Sequence, residues 1–222
     1  MGTKFSTRVW VSVVGIASIF FGSKGYADTV ISVADFGLKP DTRENAVAYV
    51  QKAIEACRGK EPVTLVFPEG RYDFWPQYAH EKNYYETNTY DVFPKRLAML
   101  FEGLHNITVD GNGSQFVMHD RIQPITVENC DGVTLKNFSI DWDIPLTAQA
   151  RVTKVGSDFF EIEINVLESP YIIEDGKLVF VGEGWKSALG SMIEFESDTH
   201  FVVPGTGDLV LGRNWRDYTA VS

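Results

Sequence analysis

Cysteine is scarce in this 222-residue chain, basic residues are outnumbered, and no apolar run is long enough to cross a bilayer. Each shortage excludes something. A disulfide framework uses more cysteines, closer together and in a smaller domain, so Cys57 and Cys130 are read as two separate buried thiols. No zinc spacing exists, and the four histidines at 80, 105, 119 and 200 are scattered, so neither metal nor cofactor is expected. Lys plus Arg total 20 against 30 Asp plus Glu, a net charge of −10 with a pI near 4.9. An acidic chain without a basic patch is a poor partner for phosphate backbones or anionic lipid, so no nucleic-acid partner is expected. A homodimer is compatible with this composition.

What is present begins with an export signal. Lys4 and Arg8 precede a largely apolar run over 9–22, and Gly25 and Ala27 put small residues at the minus-three and minus-one positions. The run is shorter than the roughly 20 residues of a membrane span. Residues 1–27 are therefore expected to be removed by cleavage between Ala27 and Asp28. This leaves a secreted or periplasmic protein with no membrane span, carrying 17 basic against 30 acidic residues, or −13.

Beyond the signal, Ile31-Ser-Val-Ala-Asp-Phe-Gly37 predicts a short strand ending in a turn. Asp41 or Thr42, with Glu44, has the spacing of a helix cap. Val47, Val50, Ile54 and Cys57 then recur at helical steps on one apolar face, closed by Arg58-Gly59. Residues 63–67 predict a buried strand stopped by Pro68-Glu-Gly70. The strongest pattern is an internal repeat. Phe101, Glu102, Leu104 and Ile107-Thr-Val109 recur 26 positions later as Val127, Glu128, Cys130 and Val133-Thr-Leu135. Strands and turns at such a period, without a helix, indicate a parallel β-helix. Asn106, Asn129 and Asn137 fall at its turns.

After Pro145 the pattern changes. Residues 148–155 and 159–166 alternate as two strands joined at Gly156-Ser157-Asp158, with Phe160, Ile162, Ile164 and Val166 on one face. Glu174-Asp175-Gly176-Lys177 is another tight turn. The expected organisation is a signal over 1–27, a cap and first β-helix coils over 28–145 with an aromatic loop at 74–96, and a truncated antiparallel β-barrel insert over 146–222.

Val33-Ala-Asp-Phe-Gly37, Ala53-Ile-Glu-Ala-Cys57 and Val66-Phe-Pro-Glu-Gly-Arg-Tyr72 together resemble the N-terminal module of the pectate-lyase-like right-handed β-helix superfamily. There the helix caps the open end of the solenoid. Phe67-Pro-Glu-Gly-Arg-Tyr-Asp-Phe74, Asn106-Ile-Thr-Val-Asp-Gly111, Ser114-Gln-Phe-Val117 and Leu135-Lys-Asn-Phe-Ser-Ile-Asp141 resemble glycoside hydrolase family 110, bacterial exo-acting α-1,3-galactosidases. The resemblance implies a secreted, metal-independent, inverting hydrolase acting on glycans with terminal α-galactose. It also implies catalytic aspartates on later coils, in an Asp-Asp-Ala-Ile-Asn-Val-His-Gly-like segment that does not occur here. The catalytic residues are therefore expected downstream of Ser222.

Candidate substrate-binding residues are present. Asp141, Trp142 and Asp143 put two carboxylates beside an indole that could stack on a pyranose. The same segment also fits a coil-ending turn with Trp142 packed under the insert. In the aromatic loop, Trp75, Tyr84 and Tyr85 are the rings expected to meet sugar rather than to form a satellite core. His80, His105 and His119 read as structural or surface residues, and Gly182-Glu-Gly184 lacks the context of a phosphate loop. Two rival readings remain: a carbohydrate-binding β-helix without catalysis, and a polysaccharide lyase of the same superfamily. Sparse basic residues disfavour the lyase, which must handle a substrate carboxylate.

Overall fold

The 26-residue spacing is a strand register. The computed structural model describes residues 29–84, 93–190 and 192–204. In chain order it has β1 (Thr29–Ser32), a 3₁₀ turn (Val33–Phe36), α1 (Val47–Cys57), β2 (Val63–Val66), β3 (Arg71–Phe74) and β4 (His80–Tyr84). Then come β5 (Phe93–Glu102), β6 (His105–Met118), β7 (Gln123–Glu128) and β8 (Asp131–Trp142). Phe101 of β5 lies opposite Val127 of β7, and Ile107-Thr-Val109 of β6 opposite Val133-Thr-Leu135 of β8, all parallel.

The parallel strands form three rows. One runs β1, β2, the first half of β6 and the first half of β8. The next runs β3 and the second halves of β6 and β8, and the third is β5 with β7. Corners between rows fall on residues that tolerate a left-handed backbone. Gly103 and Asn129 have φ of 63° and 52°, and Asn106 and Gly132 have 48° and 71°, each pair 26 positions apart. Asn137 is left-handed as well. Inward side chains stack from strand to strand: Phe67 on Phe116 at 4.7 Å and Phe116 on Phe138 at 4.7 Å.

The apolar face of α1 (Val47, Val50, Ala53, Ile54, Cys57) is buried against β1, β2 and β5. Its start differs from the sequence expectation. Thr42 Oγ1 accepts from Glu44 N within a turn, and Asp41 Oδ1 accepts from Arg71 N at 2.9 Å, so neither caps the helix. The helix begins at Val47 behind Asn45, whose Oδ1 accepts from Val47 N at 3.1 Å. Ser32 and Asp35 form a capping box one element earlier, on the 3₁₀ turn. Cys57 is buried and Cys130 half-buried, and both are free thiols. Burial pushes the Cys57 thiol up to about 11.

Two further regions show more detail than the sequence pattern gave. The aromatic loop is in part a hairpin arm, because β4 pairs antiparallel with β5 from His80–Leu97 to Tyr84–Phe93. After Trp142 the chain forms two separate antiparallel sheets, β9 (Arg151–Val155) with β10 (Phe160–Glu163), and β11 (Tyr171–Glu174), β12 (Lys177–Gly182) and β13 (Trp185–Ala188). Among the described residues they close into no barrel. Phe160, Val152 and Val166 are exposed, so among the described residues no apolar layer covers them. The tight turn is as expected: Glu174 pairs with Lys177 around Asp175 and Gly176, both at positive φ. No helix among the described residues is long and apolar enough to cross a membrane.

Candidate functional site

Alternation along β3 sends Tyr72 and Phe74 into the core and leaves Arg71 and Asp73 on the other side. The residue just past each strand of this row extends the ladder by one step. His119 N donates to the Phe74 carbonyl at 3.0 Å, and Asp143 N to the Met118 carbonyl at 3.1 Å. Trp75, His119 and Asp143 therefore follow the ends of three successive strands, and the Trp75 and His119 rings stack at 3.6 Å and 5°.

Charged groups converge on this place. Asp73 and His119 are each 1% exposed. Arg71 Nη2 donates to Asp73 Oδ1 at 2.6 Å and to Asp143 Oδ1 at 2.7 Å, and Arg43 Nη1 is 3.8 Å from the latter. His119 Nε2 is 2.8 Å from Asp73 Oδ1, and its Nδ1 is 2.9 Å from Glu183. Glu183 lies in the turn between β12 and β13, and its Oε2 also accepts from Asp120 N at 3.3 Å. Burial acts to raise the Asp73 carboxyl. The hydrogen bonds from Arg71 and His119 outweigh it and hold the group below its ordinary value. The Arg71 guanidinium holds its proton more tightly than usual, chiefly through Asp73.

His119, Asp143 and Glu183 offer ligand atoms within 4.8 Å of one another, the residue types of a cation site. Arg71 and Arg43 already supply the positive charge that Asp143 needs, and both His119 nitrogens already face carboxylates. The group is satisfied as an ion-pair network.

The candidates from sequence fall in different places. Asp143 and Trp75 join the network. Asp141 is exposed, and its Oδ1 accepts from Trp142 N at 2.8 Å. Trp142 is half-buried against the core and donates its Nε1 to the Asp120 carbonyl at 3.2 Å, the packed alternative. Tyr84 sits on another row, donating to Glu128 beside Lys82, which bridges Glu102 at 2.9 Å and Glu128 at 2.7 Å. Glu102 and Glu128 are register partners, so the lysine neutralises two stacked carboxylates. Tyr85, Ala27 and Asp28 lie outside the described residues.

Sequence reasoning passed over Arg71 and Asp73, set His119 aside as a structural or surface residue, and weighed Glu183 only within a dismissed phosphate-loop pattern. A signal existed for the first pair, since Arg-Tyr-Asp-Phe alternates two charges with two core aromatics. Glu183, between Gly182 and Gly184, carried one as a lone acid at a turn tip.

Stacked parallel strands with a polar and aromatic edge, followed by antiparallel sheets, define a mostly-β protein. Residues 148–221 match the family model described as GLAA-B beta-barrel domain I. The chain is 59% identical over 194 residues to alpha-1,3-galactosidase B of Bacteroides thetaiotaomicron, covering 87% of this chain and 31% of that protein. It is 36% identical over 169 residues to alpha-1,3-galactosidase A of Shewanella woodyi, covering 75% and 28%. It is 36% identical over 205 residues to alpha-1,3-galactosidase B of Phocaeicola vulgatus, covering 90% and 32%. The chain spans about a third of the length of these curated relatives.

Proposed function

We propose that this chain is the N-terminal part of a secreted or periplasmic glycoside hydrolase. Its reaction is the inverting removal of terminal α-1,3-linked galactose from glycans, branched as in blood-group-B type or linear. The observation that carries this is the 59% identity, over 87% of the chain, to a protein named alpha-1,3-galactosidase B. Three rows of parallel strands with a 26-residue register support reading 28–145 as a capped right-handed β-helix. The match over 148–221 supports an inserted barrel, and the apolar run before Ala27 supports export.

Inversion needs one carboxylic acid and one carboxylate roughly 6.5–9.5 Å apart, with a water between. Asp73 and Asp143 do not suit those roles, because both are tied to Arg71 and Asp73 is also tied to His119. The acid and base are assigned to segments beyond Ser222. Within this chain Trp75 offers a ring to a sugar's C–H face, and Asp143 offers an acceptor for a hydroxyl.

The test uses the native product, recovered with an antibody against this chain, beside the chain alone. Each is given an α-1,3-linked galactose disaccharide, and the released sugar is followed by proton NMR. A product well above 24.9 kDa that releases β-galactose first is expected, with no release by the chain alone. First appearance of the α anomer would overturn inversion. Release by the chain itself would overturn the downstream assignment. A native product of the chain's own size that binds without cleaving would favour the glycan-binding reading, which the spent carboxylates of this chain also fit.

A further inference from the structure

Tyr78 has a φ of 68°, in the left-handed region that bulky side chains avoid, and its residue surface is 74% exposed. An aromatic ring in water on an unfavourable backbone gains nothing by itself, yet the segment is firmly held. Asn45 Nδ2 donates to the Trp75 carbonyl at 3.3 Å and to the Gln77 carbonyl at 2.8 Å. Gln51 Nε2, from α1, donates to the Tyr78 carbonyl at 2.8 Å, and Ala79 N donates to the Pro76 carbonyl at 3.2 Å. Strained positions persist where the surroundings over-determine them, and they gather at ligand clamps and active sites.

The ring stands at the edge of an open depression of about 510 Å³, lined by Ala48, Gln51, Lys52, Glu55, Tyr78 and His80. None of these belongs to the Arg71–His119–Glu183 network. We propose that this depression is a surface binding site for a neutral pyranose of a glycan, distinct from that network. The ring takes the C–H face of the sugar, as aromatic side chains with a polar tip do. Lys52 and His80, which have no partner among the described residues, and the Tyr78 hydroxyl supply hydrogen bonds to sugar hydroxyls. The charge pattern selects against ionic ligands. Glu55 and Arg58, paired at 3.1 Å, offset each other and leave Lys52 as a single water-exposed cation, too weak alone to hold a phosphate or carboxylate. This site would add grip on the glycan whether or not the proposed reaction holds.

The experiment is saturation-transfer NMR with methyl α-D-galactopyranoside on the full chain, compared with Tyr78→Gly. Glycine relieves the positive φ while deleting the ring, so the variant should melt no lower than the parent. Its affinity for the sugar should fall at least about tenfold. Phe201→Ala, an equally exposed ring that does not line the depression, should leave that affinity unchanged, and the loss caused by Tyr78→Gly should persist in a Trp75→Ala background, which keeps this test separate from the proposed function. Undiminished binding by Tyr78→Gly overturns the proposal. So does an equal loss of binding in Phe201→Ala, displacement of the sugar by inorganic phosphate, or absence of any binding by the parent chain.

Discussion

Asp73 is a carboxylate with almost no access to water, and its charge persists because Arg71 and His119 both donate to it. Removing one member of a buried charge pair leaves the others desolvated and unmatched, at about 3–5 kcal/mol. Asp73→Asn should fall at the lower end, near 3 kcal/mol, because the amide oxygen still accepts one bond. Urea unfolding followed by circular dichroism measures it, and a loss below about 0.5 kcal/mol, the ordinary surface value, would contradict the role given to Asp73. The pH dependence has a definite sign. The folded carboxyl lies below its ordinary 3.8, so its stabilisation is complete above that value and drains away as pH falls through the lower folded one. Asp73→Asn should therefore flatten the acid limb of the stability profile below about pH 4, where the parent still declines.

The turn between β12 and β13 is a place where the antiparallel region meets the parallel strands. Glu183 reaches His119, Gly184 lies against Asp120, and Arg121 stands over the Trp185 ring at 5.6 Å. Gly184 has φ of 76°, and a Cβ there would meet Asp120 Oδ2 at 2.7 Å. Alanine is opposed by both the backbone and the space, so Gly184→Ala should lift the turn off His119. Limited proteolysis should then cut faster within 148–204, while the fragment carrying α1 and β1–β8 resists as before. An unchanged digestion pattern would mean the turn is not what holds the two regions together. This contact shows where sequence reading stops. The hairpin turn at Asp175-Gly176 was legible because local backbone preference decides it. The partner of Glu183 was not, because His119 is 64 residues away and only the docking of two sheets brings them together.

At the scale of the whole molecule, the repeat was legible because residues 26 apart stack, so apolar and turn positions must recur in phase. The preceding register was hidden, since Val63 faces Ile107 and Arg71 faces Gln115, 44 positions on, with the β4 arm inserted between. That longer step concealed the Arg71, Asp73 and His119 grouping, which depends on β3 lying beside β6. The same stacking has a consequence at β7 and β8. Val109, Phe116 and Phe101 are 0% exposed, whereas their register partners Leu135, Ile140 and Val127 are 40%, 38% and 46% exposed. Among the described residues β8 pairs only with β6, so its outer edge combines unpaired backbone groups with a strip of interior side chains. Such an edge templates further pairing, and lysine is the residue that blunts it. The isolated chain should associate as concentration rises, seen as growing light scattering, and Leu135→Lys with Ile140→Lys should suppress that growth while leaving far-ultraviolet circular dichroism intact. A parent chain that stays monomeric at every concentration and melts in one sharp transition would show the edge to be protected, and the open-ladder account of β8 would have to be given up.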